Sequence, residues 1–138
     1  METAYSIELS RFARVGLRAR VTGVRSLPAT LGYWEAIVQR VAQDAPKWLL
    51  VVDELRGQEL APSDWEQLVD RMLGRGLEPL RIAHVKVFGL DHVEYCELYA
   101  NAAGLLTRAF AHEPEAERWL RYGDASLASG PVPARGLQ

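Results

Sequence analysis

Five consecutive apolar residues, Trp48-Leu49-Leu50-Val51-Val52, stand between Pro46 and Asp53. The run is far too short to span a bilayer, which takes about 20 apolar residues. It also lacks the polar alternation of a strand with one wet face. A short unbroken apolar run suits a strand buried on both faces, in a sheet covered by helices. This segment therefore asks the rest of the chain for neighbouring strands and for amphipathic helices.

Both are legible. Tyr5, Ile7 and Leu9 alternate with Ser6, Glu8 and Ser10, and Val15, Leu17, Ala19 and Val21 alternate with Gly16, Arg18, Arg20 and Thr22. Period-two alternation places apolar residues on one strand face, and 11–14 is short enough to make the pair an antiparallel hairpin. Pro28 and Thr30 then open a helix with Leu31, Trp34, Val38, Val41 and Ala42 on one stripe, stopped by Pro46. After the central strand, Ser63 begins a second helix with Trp65, Leu68, Val69, Met72 and Leu73, ended by Gly74 and Gly76. A strand is expected over 81–88, a third helix from Asp91 to about Gly104, a strand over 105–111 and a last helix from Glu113 carrying Ala116, Trp119 and Leu120. The order predicts an α/β domain over 1–122, with a mixed, mostly parallel sheet, an N-terminal β-hairpin and about four helices. From 123 to 138 small residues and prolines dominate, and a flexible tail is expected.

Composition narrows the function classes. The 138 residues suit one domain, and 16 basic against 18 acidic residues give a net charge of −2. That balance lacks the basic excess of a nucleic-acid binder. Cys96 is the sole cysteine, which excludes an intrachain disulfide. Met1-Glu2-Thr3 opens no basic and apolar leader. With no span and no leader, the expectation is a bacterial cytoplasmic protein without membrane insertion.

Two stretches carry a resemblance. WLLVVDELRG (Trp48–Gly57) is a buried strand followed by an aspartate and a Leu-x-Gly turn; AAGLLTRAFAHEPEAERWLRYG (Ala102–Gly123) runs from a helix end through a short strand into an acidic helix start and a Trp-Leu pair. These stretches, in this element order, resemble the STAS fold in its SpoIIAA-like branch, over most of Tyr5 to Tyr122. The resemblance implies regulation through protein–protein contact, with no chemistry by the domain. In STAS antagonists of anti-sigma factors, a serine of an Asp-Ser-Ser-Gly motif at the second helix is phosphorylated. Here Pro62-Ser63-Asp64-Trp65 occupies that place. Asp64 stands where the phosphoacceptor would be, and the chain looks closer to SpoIIAA-like proteins without the motif.

The candidate site residues are Asp53, Arg56, Ser63 and Asp64, all as binding residues. Asp53 lies near the carboxyl end of the central strand, where open α/β sheets place ligands, and Arg56 follows it. Ser63-x-x-Glu66 reads as a capping box. Asp64 adds charge to the first helical turn. Asp91-x-x-Glu94 reads as another cap. His84, His92 and His112 lie on separate elements without metal-ligand spacing, so no metal, cofactor or catalytic set is expected. The tryptophans read as core, although Trp34, Trp65 and Tyr99 could line an apolar pocket. The leading expectation is a non-enzymatic regulatory or scaffold module, whose partner would be a regulatory protein; homo-oligomerisation stays open. The alternative is a small-molecule or lipid-binding protein, which would need an apolar cavity of roughly 300 Å3 between helices and sheet.

Overall fold

A computed structural model describes residues 5–87, 97 and 100–123. The domain is α/β. Strands β1 (Tyr5–Phe12), β2 (Gly16–Val24), β3 (Trp48–Arg56), β4 (Arg81–Lys86) and β5 (Leu106–Phe110) form one sheet in the order of the chain. β1 pairs antiparallel with β2, and every later pairing is parallel. Helices α1 (Leu27–Asp44) and α2 (Pro62–Met72) connect the parallel strands, and α3 (Glu113–Tyr122) follows β5. Residues 100–102 end a further helix.

β3 is buried on both faces, as its apolar run requires. Leu49, Val51 and Leu55 join the core under α1 and α2, with Leu17, Ala19 and Val21 of β2. Leu50 and Val52 face the opposite way, against Phe110, Ala116, Trp119 and Leu120. Crossovers between adjacent parallel strands are right-handed, so α1 and α2 share one face; α3 covers the other. α3 packs on β3, β4 and β5 and runs toward their amino ends, where the Arg81 guanidinium donates to the carbonyls of Trp119 and Leu120. Among the described residues, the carboxyl ends of β2, β3 and β4 are open on that face.

Local chemistry sets the helix limits. The Ser26 hydroxyl accepts the Ala29 N–H at 3.1 Å to cap α1, with Pro28 in the first turn. Ala45 closes α1 in a left-handed conformation, φ 48°, before Pro46. The buried stripe of α1 is Ala29, Thr30, Tyr33, Trp34, Ile37, Val38 and Val41. It is rotated from the expected one, with Leu31 half-buried and Ala42 exposed.

Three sequence expectations need adjustment. β4 ends at Lys86 rather than residue 88, and β5 spans one residue less at each end than expected. The capping box on Ser63 is absent. Pro62 already lies in the first turn, so the cap position moves back to Ala61, and Ser63 is an exposed second residue of α2. Asp64 instead turns back to accept the Ala61 N–H at 3.1 Å. The tail 124–138, the start of the third helix and Cys96 lie outside the described residues. Among the described residues, no helix is long and apolar enough to cross a membrane.

Candidate functional site

Parallel register assembles a group of charged side chains beneath the carboxyl ends of the strands. Val51 pairs with His84 and Asp53 with Lys86 across β3 and β4. Side chains two apart share a face, so Asp53, His84 and Lys86 all point toward the α1/α2 layer. Arg25 enters the same space from the end of β2, and Glu59 reaches in from the loop after β3. The Asp53 and Arg25 side chains are fully buried, Lys86 is 1% exposed, His84 4% and the Glu59 side chain 19%.

The charges largely satisfy one another, although the buried Arg25 Nε makes no hydrogen bond. Arg25 grips Asp53 with two nitrogens at 3.0 and 3.1 Å, and one of them also donates to the Leu55 carbonyl at 3.1 Å. Asp53 Oδ1 accepts the Leu55 N–H at 2.9 Å. Its Oδ2 lies 3.2 Å from His84 Nε2. An ionised carboxylate only accepts, so Nε2 carries the hydrogen of that contact. The Lys86 ammonium donates to Glu59 and lies 5.7 Å from the centre of the Trp65 ring. Arg25 Nε is 3.6 Å from the second Glu59 oxygen. Two cations and two anions thus share one pocket of low dielectric, where a lone charge would be costly.

The electrostatics follow. Burial by itself would raise the Asp53 carboxyl, but its contact with His84 and the hydrogen bonds and charge of the Arg25 guanidinium outweigh it, and Asp53 stays well below the usual carboxylate range. Burial pushes Lys86 down from its ordinary value; Glu59 opposes this and the Arg25 charge reinforces it. Arg25 is held up by Asp53 against its own burial.

On the other side of the same strand ends lies an open groove of about 560 Å3, lined by Thr22, Val24, Glu54, Arg56 and Val87. Register sets Thr22 beside Glu54 and Val24 beside Arg56. Val24, the last residue of β2, is 56% exposed and Val87, just after β4, 47%. Arg20, on the same face, pairs with Glu54 at 2.9 Å and with Glu8 at 3.6 Å.

The four candidate residues are therefore dispersed. Asp53 belongs to the buried group and lies inside β3, three residues before its end. Arg56 lies on the groove, on the opposite face of the sheet. Ser63 and Asp64 belong to the start of α2 and join neither. Sequence reading missed Arg25, Glu59, His84 and Lys86. The available signal was Ile82-x-His84-x-Lys86 on the parity of Val51 and Asp53, which puts polar groups where a doubly buried strand needs partners for them. The space among Trp34, Leu68, Met72, Ile82, His84 and Leu105 measures about 30 Å3, room for a water or two rather than an organic ligand. Among the described residues no three His, Cys, Asp or Glu side chains group as a metal site. In comparisons with known proteins, neither a family model nor a curated sequence matches the chain.

Proposed function

We propose that this protein is a non-enzymatic regulatory or scaffold module, similar to STAS domains of the SpoIIAA-like kind, that binds another protein through the groove at the carboxyl end of its sheet. The observation that carries this reading is the pair of exposed valines, Val24 and Val87, flanking an open groove with Glu54 and Arg56 on its floor. Exposed apolar side chains on both sides of a charged strip give a partner apolar surface to bury and charges to orient it. The buried ion pairs below support the same reading. They use the ionisable groups on one another and hold the ends of β2, β3 and β4 in a fixed relation, so the groove is presented on a rigid base. The tight space between helices and sheet favours a partner at the surface over an apolar ligand inside.

The test compares the wild-type protein with the Val24→Asp/Val87→Asp variant as baits in extracts of the native host. Both sites face solvent, so the variant should fold, which its thermal melt checks. A partner held by the wild type and lost by the folded variant supports the proposal. An identical set of bound proteins on both baits, or none on either, overturns it.

A further inference from the structure

At the opposite end of the sheet, the hairpin turn and the end of α1 enclose a second concavity. It measures about 110 Å3 and is lined by Arg11, Arg14, Val15, Asp44, Pro46 and Lys47. We infer that it is a site for a phosphate-class oxyanion, the phosphoryl end of a small molecule, held between Arg11, Arg14 and Lys47.

Three observations carry this. The first is charge. Arg11, Arg14 and Lys47 are exposed, and no carboxylate among the described residues pairs with any of them. The one acid in the wall, Asp44, is already engaged by Arg40 at 2.9 Å. Three cations with no carboxylate partner among the described residues thus line one concavity in a chain whose net charge is −2.

The second is backbone conformation. Ala13 and Arg14 both adopt left-handed geometry, φ 52° and 71°. A tight hairpin favours that twist, but it is normally supplied by Asn-Gly or Asp-Gly. Holding an alanine and an arginine there is strained, and strain of this kind collects at functional positions. Glycine at position 14 would relieve it and remove the guanidinium.

The third is rigidity and size. The Phe12 ring lies over Gly16, where an added Cβ would come within 2.4 Å of it, and packs on Trp48 with ring centres 6.2 Å apart. The Val15 carbonyl accepts the Lys47 N–H at 2.7 Å, tying the turn to the start of β3. The cations therefore stand on a fixed frame. The volume takes several waters, enough for a tetrahedral oxyanion and its bonded oxygen, but not for a nucleoside. Arginine forks match phosphate oxygens bidentately, and the ammonium adds a point charge.

The site lies at the other end of the strands from the proposed partner groove, so either can fail without the other. The experiment is an amide-resolved NMR titration of the full chain with inorganic phosphate, against chloride at matched ionic strength. Expected are saturable shifts at residues 13–16 and 44–48 that chloride does not produce. Arg14→Gln/Lys47→Gln should weaken binding by at least about tenfold, since each lost bond is charge-assisted. Arg14→Gly should weaken phosphate binding while raising the melting temperature, a combination that a purely structural turn does not give. Saturation by glycerol phosphate assigns a soluble source; binding only to vesicles containing phosphatidic acid assigns a lipid headgroup. Shifts that match chloride, or an unchanged affinity in the double variant, overturn the site.

Discussion

Asp53 shows how much a single residue's address can reveal, and how much it conceals. Its place after an apolar run marked it as unusual, yet the role depends on Arg25, 28 positions earlier, and His84, 31 later. No local pattern joins such residues; only strand register does. Removing Asp53 leaves the Arg25 guanidinium buried without its carboxylate. Asp53→Ala should therefore cost about 3–5 kcal/mol, whereas Arg25→Met/Asp53→Leu should cost less, because no guanidinium is left buried without its carboxylate, although the Leu55 N–H and His84 still lose their acceptor. Urea unfolding of the two variants checks this, and equal losses would refute it. Ser63 teaches the converse. The Ser-x-x-Glu spacing matched a cap, but Pro62 shifts the helix start by fixing its own φ and lacking an N–H. Ser63→Ala should now change stability by less than about 0.5 kcal/mol, as for an ordinary surface position. Asp64→Ala, which loses the bond to Ala61, should cost about 0.5–1.5 kcal/mol. A larger loss from Ser63→Ala than from Asp64→Ala would restore the serine cap.

Elements were readable wherever periodicity was strong. The alternation of β1 and β2, the continuous run of β3 and the stripes of α2 and α3 each follow from which faces are covered, and the structure covers those faces. The limits were less readable, because strands end where pairing ends, not where apolar residues do. β3 runs on through Asp53 and Glu54 to Arg56, since β2 still pairs with it there. The hairpin turn gave no glycine signal because Ala13 and Arg14 take the left-handed positions themselves. Ala13→Gly makes that conformation unstrained without touching a charge. It should stabilise the protein by about 0.5–1 kcal/mol, read as a higher urea midpoint, while leaving phosphate shifts at residue 14 in place. A lower midpoint would mean that the turn carries no strain.

At the scale of the whole molecule, the buried charges couple folding to pH in a way the sequence alone could not give, because composition near neutrality says nothing about which groups lose water. The carboxyl ends of three strands and one loop meet at Arg25, Asp53, Glu59, His84 and Lys86, so their protonation is felt by the entire sheet. The two shifted groups act on opposite limbs. Folded Asp53 resists protonation that the unfolded chain accepts near pH 3.9, so its contribution is present above that value and is lost as pH falls toward the depressed folded value. Folded Lys86 releases its proton earlier than the unfolded chain, whose lysine holds it to about pH 10.4. Between those two values the unfolded state binds more protons, so stability rises with pH. The urea midpoint of the wild-type protein should fall in acid and rise on the alkaline side, up to the lysine value of the unfolded chain, about pH 10.4. Lys86→Met removes the alkaline slope and leaves the acid limb, which belongs to Asp53. Methionine is chosen because it fills the stem's volume beside Trp65 and carries no charge, while Glu59 keeps partial access to water and its contact with Arg25. Midpoints measured at intervals from neutral pH to about pH 10.4 on both proteins decide the matter: a wild-type curve that is flat on this alkaline limb, or the same slope in Lys86→Met, would show that the lysine is not carried uncomfortably inside the fold.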